Sequence, residues 1–120
     1  MLMRRFATLL GIFLLIEGTW GLFSPVVFGV LSTNTTHAVI HILLGVIGIW
    51  TGRSDNARPY LMFVGALLIL VGVLFFVPGA SALVVSILNV NRAVAFFNIT
   101  VGVICLALAL SAPRAGRVVT

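Results

Sequence analysis

The sequence predicts an all-α membrane protein, four transmembrane helices arranged as two parallel two-helix repeats about a pseudo-twofold axis normal to the membrane. Three observations carry that expectation. The 120-residue chain is 62% hydrophobic and only 8% charged, with a mean hydropathy of +1.30. Soluble domains run near a quarter charged, so there is too little polar surface here to cover a globule in water. Four apolar stretches of spanning length follow one another, and the two halves match at a fixed offset. By length the whole, 1–120, is a single domain.

Helix one is expected over about 5–24: it enters through Arg4 and Arg5 and stops at Ser24 and Pro25. It has the basic start and apolar run of a signal peptide, but no small-residue cleavage site follows, so it is read as a retained helix. Helix two is expected over 35–51, with Asn34 or Thr35 as N-cap and Gly52 as the stop. It is the shortest stretch, and it is read as a span because otherwise the arginine-rich segments would face opposite sides. Helix three, 59–77, opens on Pro59, which suits a first turn, and breaks at Pro78 and Gly79. Helix four, 92–111, closes at Ser111, Ala112 and Pro113. At 1.5 Å per residue an 18-residue run covers about 27 Å, close to the thickness of a hydrocarbon core.

The charges set an orientation. Every one of the seven basic residues is an arginine, against only Glu17 and Asp55. Arg4, Arg5, Arg53, Arg58, Arg114 and Arg117 fall on one side, as anchors to lipid headgroups, and Arg92 alone falls on the other. The positive-inside rule then puts both termini and the 52–58 connection in the cytoplasm of a multi-pass bacterial inner-membrane protein. Trp50 and Tyr60 flank that connection as interfacial aromatics. A pI near 11.6 invites a nucleic-acid reading, but no basic stripe with interleaved aromatics exists. The other two connections, 24–34 and 78–91, carry no charge and are apolar for loops. They are expected to be partly buried or half helical, or else interfacial segments or a docking surface for another subunit.

The halves look duplicated, as repeats of about 4–52 and 58–108. A shift of 57 pairs Val27, Leu31, Asn34, Ala38, Ile42, Gly45, Val46 and Ile47 with Val84, Leu88, Asn91, Ala95, Ile99, Gly102, Val103 and Ile104. A shift of 54 brings Arg4, Gly11 and Gly18 onto Arg58, Gly65 and Gly72. Two spans per repeat give both repeats the same orientation. The seven-residue spacing of the glycines places them on one helix face, for close packing near the axis.

Gly11 to Leu15 through Gly18, Gly21 and Pro25, then Phe28-Gly29-Val30 and Asn34, His37, His41, Gly45 and Gly48, resemble an uncharacterised bacterial membrane family, the domain of unknown function 4383. The likeness covers nearly the whole chain. It implies four helices, a duplicated half and a histidine-bearing second helix, and it implies no activity. This chain departs from the family's pattern at three places. Asn98 stands where the fourth helix usually carries histidine, Glu17 stands where the family is apolar, and an Asp-Asn pair is absent around Arg92.

Glu17 is the least expected residue. A carboxylate in a span costs about 2.5–3.5 kcal/mol to insert, and such residues face the bundle and pair. Glu17, His41 and Asn98 each stand six residues from the same end of their helices, about 9 Å deep. They are expected to form one polar layer with His37 and Arg92 a turn further out. His37 and His41 share a helix face, but two nitrogens do not complete a metal site. Either could ligate a chlorophyll-type pigment or a haem. Cys105 sits in an apolar run and reads as packing.

No enzyme signature is present. The expected function is therefore a structural or accessory integral membrane subunit with no chemistry or cofactor of its own. Its partners would be membrane lipids and either other membrane subunits or its own copies. The alternatives are a pigment- or haem-binding subunit of a photosynthetic or respiratory complex, through His41 or His37, and a small proton-coupled transporter using Glu17. The topology makes a direct prediction. With Cys105 replaced by alanine and Asp55 by cysteine, a membrane-impermeant thiol reagent added outside should leave position 55 unlabelled; strong labelling would reverse the orientation.

Overall fold

The computed structural model describes residues 2–111 and is predominantly helical. Four long helices, α1 (Leu2–Gly21), α2 (Thr35–Gly52), α3 (Ala57–Leu74) and α5 (Arg92–Ser111), run up and down in sequence. A short α4 (Ala80–Leu88) and a hairpin of β1 (Val26–Val27) and β2 (Leu31–Ser32) cover one end. Arg114 and Arg117 lie outside the described residues. Three helices, α2, α3 and α5, are long and apolar enough to cross a membrane by length and composition. The fourth, α1, has the length, but any 18-residue stretch of it contains Arg4, Arg5 and Glu17.

The connections explain themselves locally. Asn34 caps α2 by accepting from His37 N at 2.9 Å, and Asn91 caps α5 by accepting from Val94 N at 2.9 Å. Pro59 is the third residue of α3, where a missing N–H costs no helical bond. Among the described residues the hairpin is the one departure from all-α, and its residues account for it. Val26, Val27 and Val30 favour extended backbone, and the chain reverses through Phe28 and Gly29 at φ of 55° and 76°. That conformation is strained for a phenylalanine. The ring is held in return: it stacks on Phe13 at 5.6 Å and meets the edge of Trp20 at 4.9 Å. The hairpin therefore lies back along α1 rather than projecting from it.

Packing is in pairs, α1 mainly on α2 and α3 mainly on α5. Glycines permit the approach. A Cβ on Gly11 would stand 2.6 Å from Gly45 O, and one on Gly45 would stand 2.7 Å from Gly11 O. Gly65 and Gly102 meet in the same way between α3 and α5, at 3.0 and 2.7 Å. Gly18 and Gly72 likewise back onto Ala38 O and Ala95 O. The seven-spaced glycines thus serve helices consecutive in these pairs and not, as their spacing suggested, the central axis.

Two apolar clusters result. One fills the end that bears the start of α1 and the α2–α3 turn, around Leu10, Leu14, Leu44, Leu61, Val64 and Leu68. Tyr60 belongs to it, buried with its hydroxyl donating to Leu44 O at 2.8 Å. The expectation of an interfacial Tyr60 is therefore corrected: Gly48 opens room for the ring against α2, and the carbonyl satisfies the phenol. Trp50 by contrast is exposed. The second cluster lies under the cap, where Val27, Leu31 and Val84 meet Val90, Val94 and Ala95.

The backbone contact at Gly45 has nowhere to yield. Gly45→Leu is expected to destabilise the fold by about 1–3 kcal/mol through overpacking. Leu110→Ala, on an outward face, should stay within about 0.5 kcal/mol. Reversible unfolding of both variants in mixed micelles checks the contrast.

Candidate functional site

Between the two apolar clusters lies a polar layer built from α1, α2 and α5. Glu17, His37, His41 and Asn98 are each at least nine-tenths buried. Glycines at positions 18 and 45 bring α1 and α2 close enough for a carboxyl and an imidazole to touch. Glu17 Oε1 lies 2.9 Å from His41 Nδ1, with both side chains 7% exposed. The contact is short but poorly aimed, for the same oxygen makes no well-directed hydrogen bond.

One turn towards the cap, His37 packs edge-on against His41 with ring centroids 4.3 Å apart. Its Nδ1 lies 3.0 Å from Leu88 O, in the last turn of α4. A carbonyl only accepts, so Nδ1 carries the proton and Nε2 is the ring's acceptor. Asn98 faces the two histidines from α5 across a cavity of about 70 Å³. Glu17, His41, His37 and Asn98 are thus brought together. Arg92 is not: it stands exposed at the first turn of α5 and forms no ion pair with Glu17. The start of a helix is its solvent-facing end, and a guanidinium there loses nothing by staying out.

The arginines expected as headgroup anchors divide in two. Arg5 and Arg53 are exposed. Arg4 reaches Gly52 O at 3.4 Å and Asp55 at 3.8 Å, and Arg58 donates to Ala109 O. These two arginines therefore also bridge helix ends. Since Asp55 is almost fully exposed, its ion pair contributes little.

A set of asparagines with a second role was not anticipated. Asn34 Nδ2 donates to Ile87 O at 2.8 Å, and Asn91 Nδ2 donates to Val30 O at 3.0 Å. Asn89, left-handed at φ 54°, closes α4 and donates to Thr33 O at 2.8 Å. Ser32 in turn donates to Asn89 O. These bonds stitch hairpin and α4 into one lid over the polar layer. The signal was in the sequence: Asn34 and Asn91 are identical at the 57-residue offset, and only a capping role for Asn34 was drawn from it.

A family model described as Domain of unknown function (DUF4383) matches residues 4–111. No curated protein and no solved structure matches the chain.

The pairing makes a prediction about stability. His41→Ala leaves the Glu17 carboxyl buried without its partner and should destabilise by about 3–5 kcal/mol. Replacing both Glu17 and His41 by leucine should recover most of that loss, since an apolar pair needs no compensation. Denaturant unfolding of the single and double variants provides the check.

Proposed function

We propose, for a chain that belongs to the family of the domain of unknown function 4383, that it acts as a structural or accessory membrane subunit, alone as a homo-oligomer or within a larger membrane complex. The reading takes α1 as a fourth span. Its 20 residues cover about 30 Å, Arg4 and Arg5 occupy its first turn, and its one intramembrane carboxylate is paired. It also takes the halves as duplicated. Support comes from residues 57 apart doing equivalent work: Asn34 reaches Ile87 O, and Asn91 reaches Val30 O. The arginine distribution supports cytoplasmic termini in an inner membrane.

The observation that carries the functional reading is the surface of the lid. Both connections lack charge, yet Leu22, Phe23, Phe28, Val30, Leu83 and Ile87 are exposed there, Phe23 at 85%. An apolar end of this kind calls for a covering partner. The layer beneath, in contrast, is turned inward, with Glu17 on His41 and His37 on Leu88 O.

The pigment or haem reading has less to rest on. His37 and His41 point into a cavity of about 70 Å³, whereas cofactor pockets run to roughly 300–1,000 Å³. The transport reading draws on the Glu17–His41 pair, and proton flux into liposomes is its test. Below that pair Leu14, Leu44, Leu61 and Leu68 close the bundle with apolar packing.

Native mass spectrometry after gentle extraction tests the subunit reading. Masses above the 12.8 kDa chain are expected, and they should be lost when Phe23, Leu83 and Ile87 are replaced by serine. A spectrum of free chain alone would remove the reading.

A further inference from the structure

The polar layer contains more hydrogen-bonding capacity than its protein neighbours use. Asn98 is 2% exposed and forms no hydrogen bond among the described residues. Its amide offers two donors and an acceptor. Among the described residues the acceptor nitrogen of His37 also has no protein partner, because the ring's hydrogen bond to Leu88 O uses Nδ1. His41 turns Nδ1 to Glu17, which leaves its other ring nitrogen in the same condition. These three side chains come from two helices and line one cavity of about 70 Å³ between α2, α3 and α5. The rest of its wall is aliphatic, including Ile40, Leu44, Leu67 and Val71.

Buried polar groups are almost always satisfied by protein or by ordered water. A guest here must donate to His37 Nε2 while exchanging hydrogen bonds with the Asn98 amide. It must also be small. A hydrocarbon fails the first requirement, because it would leave the amide unpaired. A metal ion is poorly served too, for no group of three or more His, Cys, Asp or Glu side chains is placed to hold one among the described residues.

We propose that this cavity is a binding site for a cluster of internal water, on the order of two to five molecules by volume, held by Asn98, His37 and His41. The cluster completes the layer: it satisfies the amide, and through His41 it gives the Glu17 pair a polar neighbour on its second side. It also gives Asn98 a role distinct from packing. In the repeat relation Asn98 corresponds to His41 and Val71 to Glu17, so the α3–α5 side has an amide and an aliphatic where the α1–α2 side has a carboxyl–imidazole pair. Without a protein partner on its own side, Asn98 turns to the shared cavity.

The test uses the full chain in lipid nanodiscs, with water itself as the probe. Magic-angle-spinning NMR with magnetisation transfer from water should reach the Asn98 side-chain amide and the rings of His37 and His41. It should not reach Leu14 or Val64, in the apolar cluster below. In Asn98→Leu, transfer to both rings should fall at least tenfold, and the thermal midpoint should fall with it. Failure of water to reach Asn98 in the unmodified protein would overturn the proposal without any variant. So would ring transfer unchanged by Asn98→Leu, or a raised midpoint in that variant, since a dry cavity gains when an unpaired amide is removed.

Discussion

Polar groups inside this bundle have to be answered by the chain or by water enclosed with it, because the helices around them present hydrocarbon. That constraint explains the placement of nearly every non-aliphatic side chain. Tyr60 spends its hydroxyl on a backbone carbonyl of α2. Glu17 meets His41, and His37 reaches the last turn of α4. The asparagines each satisfy backbone groups of the facing connection while capping or closing a helix of their own. An exposed turn would leave such bonds to water. Here they hold the lid.

The glycines and the polar layer are two sides of one arrangement. A carboxyl and an imidazole meet at 2.9 Å only if their helices approach closely, and at Gly11 and Gly45 each backbone is in contact with the other. With larger residues at those positions α1 and α2 would stand further apart and the pair would open. The costs also compare sensibly. Close packing forgoes two side chains' worth of dispersion contacts, each individually small. Loss of the pair would strand a buried carboxyl, which is worth several kcal/mol. The stranded carboxyl is the larger loss, so close contact is what the sequence keeps.

The asymmetry of the layer is as informative as its symmetry. Around it, residues 54 or 57 apart make like contacts: Gly11 and Gly45 meet as Gly65 and Gly102 do, and the aliphatics Val27 and Val84 fill the same cluster. Within the layer the residues at those offsets differ, Val71 from Glu17 and Asn98 from His41. One side therefore has a carboxyl–imidazole pair and the other a lone amide. The hairpin and α4 differ as well: Phe28 and Gly29 turn the chain in the left-handed region, while Gly79 starts a helix. Two connections of similar apolar content thus take different backbones while exchanging hydrogen bonds in the same pattern.

The sequence by itself determined the long helices, because hydrophobic length, proline, glycine and capping asparagine act locally; α2 and α5 begin where expected, at 35 and 92, whereas α1 and α3 end three residues before the limits expected from Pro25 and Pro78. It also placed Glu17, His41 and Asn98 at one depth, since the rise per residue is fixed whatever the helices pack against. The partner of each was a matter for the tertiary structure. That Glu17 meets His41 while Asn98 faces a cavity depends on which helix pairs approach through their glycines. So does the burial of Tyr60, whose place beside a charged connection suggested the interface until Gly48 made room for the ring. The hairpin was beyond local reading too, because Phe28 holds its left-handed backbone through rings on α1, fifteen and eight residues away in the chain. Periodicity reports which face of a helix is apolar; only the packed chain decides which neighbour that face meets.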